Sequence, residues 1–208
     1  MTKQKEKKTI LTPVGRLINE SLFEKSQFDE KATPVYTLEM AFSWDDAQVL
    51  DEELAAHAVE KWGAGAADDY FDYRIISPIL DGDKLAARRE ENGKPGEAYR
   101  GLAVVRAKTL YNKDGQDAPG GIQVYSPEVE EIGPANRQEI YPGCWGQAAL
   151  KIATYDDRGG DHALMFYLHA FQKTKDGERL ITGQDYSEVY KPVGRQEGRG
   201  PARRRKRG

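Results

Sequence analysis

The chain has 208 residues, 38% of them hydrophobic, which is enough for one domain with a real core and too few for two large ones. Its single cysteine, Cys144, excludes an internal disulfide and a cysteine-based zinc site, and apolar runs such as 163–171 fall far short of the ~20 residues of a membrane helix. The net charge of −3 hides a segregation: residues 1–8 hold four Lys and one Glu, residues 195–208 hold six Arg, one Lys and one Glu, so the ends carry +9 and residues 9–194 carry −12.

Residues 1–8 form a basic arm with no apolar segment behind it, so no secretory signal is read there and a cytoplasmic setting is expected. Residues 9–23 read as one long strand, with Pro13 and Gly15 marking an edge or bulge. Residues 25–33 are polar and turn-like. Residues 34–42 alternate, placing Tyr36, Leu38, Met40 and Phe42 on one face of a half-buried strand. Ser43 is an N-cap followed by Asp45 and Asp46, acidic residues that complement the dipole of a helix running to about Lys61 with a Leu50, Leu54, Ala58 stripe.

Residues 63–98 show no sustained period beyond a short strand at 73–76 and are expected to form a long, irregular but ordered excursion. Residues 102–111 alternate, with Arg106 and Lys108 opposite Val105, Ala107 and Tyr111. Turns follow at 112–115 and 119–121, a short strand at 122–125, and another turn at 141–146. Residues 147–155 and 162–173 read as a hairpin around a turn at 156–160. In its first strand Lys151 and Tyr155 share a face opposite Leu150 and Ile152; in its second, Met165, Tyr167, His169 and Phe171 oppose Leu164, Phe166 and Leu168. Residues 195–208 lack the apolar content to offset ordering entropy and are expected to be a disordered basic tail. The whole reads as an all-β barrel or sandwich, residues 9–194, with an inserted helix.

A strand face that sets cations beside aromatic rings suits a polyanion with unpaired bases, since phosphates meet the cations and bases stack on the rings. An acidic body requires such cations to be gathered on one face or supplied by the ends. The candidate residues are Arg106, Lys108, Tyr111, Lys151 and Tyr155, together with Trp145, which either plugs the end of the barrel or serves as a stacking platform. Arg74, Arg88, Arg89, Tyr99 and Arg100 flank the irregular excursion with Tyr70, Phe71 and Tyr73. They form either an arm that closes over a strand or surface charge above a small apolar cluster. Arg203, Arg204 and Arg205 in the tail read as an electrostatic arm.

Several pieces, taken in order, carry a resemblance to a known family: 12–17 (TPVGRL, with Arg16), 78–83 (PILDGD), 99–101 (YRG), 140–146 (IYPGCWG) and the last two strands. In order and spacing the chain resembles the single-stranded DNA-binding proteins of tailed phages. The resemblance implies an OB-fold, a five-stranded, partly open barrel. It also implies sequence-independent binding that protects exposed strands in phage DNA replication, recombination and repair, without a cofactor, in the infected bacterial host cell. Cooperative contacts between neighbouring protomers are implied as well, and the basic tail leaves room for duplex DNA. That tail departs from the acidic C-terminal tip with which bacterial single-strand binders recruit partners.

Two other classes stay open at this level: a protein-interaction module whose tails attract nucleic acid loosely, and a metal-dependent nuclease using Asp81/Asp83 or Asp156/Asp157. No third carboxylate stands at a telling spacing, His57, His162 and His169 form no zinc pattern, and neither a phosphate loop nor a nucleophile elbow occurs, so no catalytic or metal residue is assigned.

Overall fold

The computed structural model describes residues 9–27, 30–109, 122–156 and 161–180. Nine strands and three α-helices are present among them: β1 Thr9–Leu11, β2 Gly15–Ser26, β3 Val35–Phe42, α1 Trp44–Trp62, α2 Ala66–Phe71, β4 Ile75–Ile76, β5 Ile79–Asp81, α3 Gly82–Glu91, β6 Ala103–Lys108, β7 Gln123–Tyr125, β8 Trp145–Asp156 and β9 His162–Lys175. The expected first strand is interrupted at residues 12–14, where Thr12 turns its hydroxyl to the backbone of Pro13 and accepts from the Ala148 amide. β1 thereby leaves β2 and pairs with β8 instead.

Five strands pair in a circuit. β2 and β3 are antiparallel, as are β3 and β6; β6 and β9 are parallel; β9 and β8 are antiparallel, and β8 returns to β2. The β6–β9 and β2–β8 joins hold two residue pairs each, so the circuit is not a fully closed barrel. It encloses the main core, in which Leu17, Leu38, Met40, Phe42, Leu150, Phe166 and Phe171 meet the apolar stripe of α1. Ser43 caps that helix as its sequence requires, accepting from the Asp46 amide at 3.1 Å.

The segment 63–98 is not irregular. It forms α2, β4, β5 and α3, which are short or polar elements whose periodicity is too brief to register in sequence. β5 pairs with the edge of β6 at Ala103–Val105, the part that β9 does not reach, and runs straight into α3. Asp81 caps α3 by accepting from the Asp83 and Lys84 amides. Gly82 follows it because any Cβ there would stand 2.0 Å from the Tyr99 carbonyl oxygen. α3 then lies on the outside of the sheet over a second core of Ile18, Ala41, Ala86, Tyr99 and Val104.

One strand face also differs from expectation. The β8–β9 register steps from Ala149↔Ala170 to Leu150↔Leu168, so His169 is an extra residue at a bulge. The bulge reverses the alternation beyond it. Phe171, expected beside Tyr167 and His169, instead points inward with Leu164, Phe166 and Leu168 and is fully buried. Phe171→Ala should therefore lower the unfolding free energy in urea by about 3–5 kcal/mol, while His169→Ala, at an exposed position, should change it by less than about 0.5 kcal/mol.

Candidate nucleic-acid interface

The outer face of the sheet is covered at one end and open at the other. Along β6 the outward side chains run from Val104, buried under α3, to Arg106 and Lys108, both exposed. Along β3 they run from buried Ala41 to the partly open Glu39 and Thr37. α3 thus screens half of the face and leaves the half that carries the cations.

On that open half the strand register aligns a continuous row: Ser21, Thr37, Lys108, Tyr167, Lys151 and Thr9 are successive neighbours across β2, β3, β6, β9, β8 and β1. Lys108 and Lys151 flank Tyr167 from either side, their strands two spacings or about 10 Å apart. Among the described residues no carboxylate pairs with either lysine. Further along the hairpin, Tyr155 is 45% exposed and its hydroxyl lies 2.5 Å from that of Tyr167. Burial, and then this hydrogen bond with Tyr155, raise the Tyr167 hydroxyl pKa well above the usual tyrosine value. Tyr167 is only 8% exposed, so it acts as a fixed support and Tyr155 as the ring that faces out. His169 at the bulge titrates below an ordinary histidine, through partial burial and then the nearby Lys151 charge.

The remaining candidates divide. Arg106 is on the open face but its Nε donates to Glu39 Oε1 at 2.5 Å, which neutralises it. Tyr99 is not available to a ligand: it is 1% exposed in the second core, its ring under the Arg89 guanidinium at 4.9 Å and its hydroxyl donating to Glu39 Oε2 at 3.2 Å. Of the two readings open in sequence, the closing arm fails for Tyr99 because α3 covers that part of the face, and a small apolar cluster beneath surface charge forms instead. Arg100 is turned to α3, where it binds both carboxylate oxygens of Glu90 at 2.6 and 2.7 Å. Arg74 holds Asp69 and Asp72 at 2.8 and 2.7 Å. Neither arginine joins the row.

Arg16 and Trp145 are cross-strand partners some six residues, or about 20 Å, along the sheet from Lys151. Arg16 donates to the Glu178 carbonyl at 3.1 Å, and Lys175 stands over the Trp145 ring at 4.8 Å. The tryptophan is thus half-buried under its own cation rather than plugging the core. Tyr111, Arg203, Arg204 and Arg205 lie outside the described residues, as do the N-terminal arm and the turn around Gly159.

Of the two acidic pairs, Asp81, Asp83 and Asp156 have structural roles, and Asp157 lies outside the described residues. Asp81 caps α3, Asp83 accepts from the Gly101 amide, and Asp156 accepts from Trp62 Nε1 at 2.7 Å while pairing with Lys61. No group of three metal-ligating side chains occurs among the described residues.

The sequence model of the family described as "Enterobacter phage Enc34, ssDNA-binding protein" matches residues 7–197. The chain belongs to this family of phage single-stranded DNA-binding proteins. The family is defined by binding, not by catalysis. Among solved structures, the fold is similar to the Enc34 protein in complex with single-stranded DNA, with a TM-score of 0.60 at 19% identity over 83% of this chain and 89% of that one. It is also similar to gp2.5, a single-stranded DNA-binding protein encoded by bacteriophage T7, with a TM-score of 0.58 at 11% identity over 94% of this chain and 100% of that one. No curated protein sequence matches significantly. The shared fold is mostly β-sheet with a few helices, and no helix among the described residues is long and apolar enough to cross a membrane.

Tyr167 is the aromatic member of the row, and it is not among the candidates read from sequence. Its strand has apolar residues on both faces, so only the register with Lys151 and Lys108 reveals its position. The Tyr99–Glu39 contact also carries a pH signature. Burial first, and then the Glu39 carboxylate, push the Tyr99 hydroxyl up to about 12. Its neutral form therefore stabilises the fold fully below about pH 10, the unfolded value, and that contribution drains away as the pH climbs toward 12. Unfolding free energies measured between pH 9 and pH 12 should fall less steeply for Tyr99→Phe than for the native chain.

Proposed function

We propose that the open half of the sheet, centred on Lys108, Tyr167, Lys151 and Tyr155, is where this protein binds single-stranded DNA. The observation that carries the reading is a pair of lysines with no carboxylate partner among the described residues, set on either side of a fixed tyrosine and next to an exposed one, in a body that otherwise carries excess negative charge. Lysines at this spacing neutralise phosphates without reading sequence, and the Tyr155 ring offers any base a face, a contact worth roughly 1–3 kcal/mol. Nothing in this chemistry requires a cofactor.

We assign the β2–β3–β6–β9–β8 circuit to the OB-fold. Its support is the pairing order: a three-stranded antiparallel meander, a parallel join to the last strand, and a hairpin that returns to the first. In such barrels the second and third strands and the loops at either end of the face receive oligonucleotides. Here those strands are β3 and β6. Binding of this kind protects strands exposed in phage DNA replication, as the family membership implies, and we extend the role to recombination and repair. The basic ends add phosphate contacts without base preference and give the full chain its tolerance for duplex DNA, and neighbouring protomers meet along a coated strand.

Fluorescence anisotropy of a labelled oligothymidine tests this reading across a salt series. The double variant Lys108→Ala/Lys151→Ala should bind more weakly, with its log–log salt slope shallower by about 1.4, or about 0.7 for each phosphate no longer neutralised. A chain cut to residues 9–194 should retain single-strand binding while duplex competes poorly. An unchanged slope in the double variant, or binding that vanishes with the ends, contradicts the assignment.

A further inference from the structure

The open face does not stop at Tyr155. β4 pairs in parallel with the start of β9, and its register sets Ile76 beside Ala163, the residue that lies opposite Tyr155 on β8. Ile76 is 57% exposed, an apolar side chain at the rim of the same face as Tyr155. Three residues earlier Tyr73 is 89% exposed and holds a φ of +60°, a conformation that L-residues with a Cβ rarely adopt. The backbone around it is fixed. The Tyr73 amide donates to the Tyr70 carbonyl at 3.1 Å, the Arg74 amide donates to that of Asp69 at 2.8 Å, and the Arg74 guanidinium binds the carboxylates of Asp69 and Asp72.

A solvated aromatic ring on a strained residue, held by a rigid turn, gains nothing for the folded chain alone. Resting on the reading of the open face as the DNA site, we propose that Tyr73 and Ile76 extend it into a further base-contacting subsite, in which a nucleobase of the same strand stacks on the Tyr73 ring beside Ile76. The occupant is a base and not a phosphate, because Asp68, Asp69 and Asp72 cluster there against one arginine. The contact is therefore apolar and insensitive to salt, unlike those of Lys108 and Lys151.

Tyr73→Gly is the informative variant, since glycine accepts a positive φ without strain and the fold should keep its thermal midpoint or gain. Oligothymidine affinity should fall by about 5- to 150-fold with the salt slope unchanged, and Tyr73→Phe should bind as the native chain does. An oligonucleotide carrying 5-iodouracil, photolysed in the complex, should crosslink to the peptide containing Tyr73. The subsite is overturned if Tyr73→Gly binds within twofold of the native chain while Lys151→Ala weakens binding; the face itself then stands. If Lys108→Ala and Lys151→Ala are silent, the reading of the face fails instead. A change in the sedimentation of the free protein on Tyr73→Gly, without loss of affinity, marks the patch as a contact between copies and overturns the proposal.

Discussion

The placement of β9 is the constraint on which the rest of this structure depends. It runs antiparallel to β8 along nearly its whole length and parallel to β6, β4 and β7 at separate stretches of its other edge. Because side chains alternate, a single choice of register sends Leu164, Phe166 and Leu168 into the main core and Tyr167 out between two lysines. The bulge at His169 then turns Phe171 back into the core. Burial of the inner residues supplies the free energy that holds Tyr167, and through it Tyr155, in one orientation.

The rest of the face follows from where β9 ends its pairing with β6. β5 and α3 occupy the edge and surface that β9 leaves vacant, covering Val104 and Tyr99 and forming the second core. The cations under that cover or beside it are tied into structure, Arg106 by Glu39 and Arg100 by Glu90. Exposed pairs of this kind contribute little to stability, but they remove positive charge from the surface. On the open half Lys108 and Lys151 have no carboxylate partner among the described residues, and this is how an acidic body presents a local field of the opposite sign there.

Much of this was legible in the chain. The helix from Trp44, its Ser43 cap and Leu50/Leu54/Ala58 stripe, the alternating strand ending at Phe42, the exposed Arg106 and Lys108 and the closing hairpin all follow from local periodicity and capping chemistry. The order of the short motifs from Thr12 to Gly146 led to the family that the sequence match bears out. What local pattern does not encode is partnership between distant segments. α2, β4, β5 and α3 are each too short or too polar to announce themselves, and they are held by contacts with β6 and β9. Tyr99 looks like any surface tyrosine until α3 is laid over it, and Tyr167 looks like core until the parallel join places Lys108 beside it. A bulge of one residue, invisible to a period of two, reversed the expected side of Phe171.

Lysine footprinting tests the central claim most directly. The protein is acetylated alone and in complex with oligothymidine, and the modified lysines are identified by mass spectrometry. Lys108 and Lys151 should be protected in the complex, while Lys84, on α3 at the covered end, and Lys61, at the end of α1, should react as they do in the free protein. Protection of Lys84 or Lys61 with Lys108 and Lys151 still reactive would contradict the assignment and place the strand on another surface.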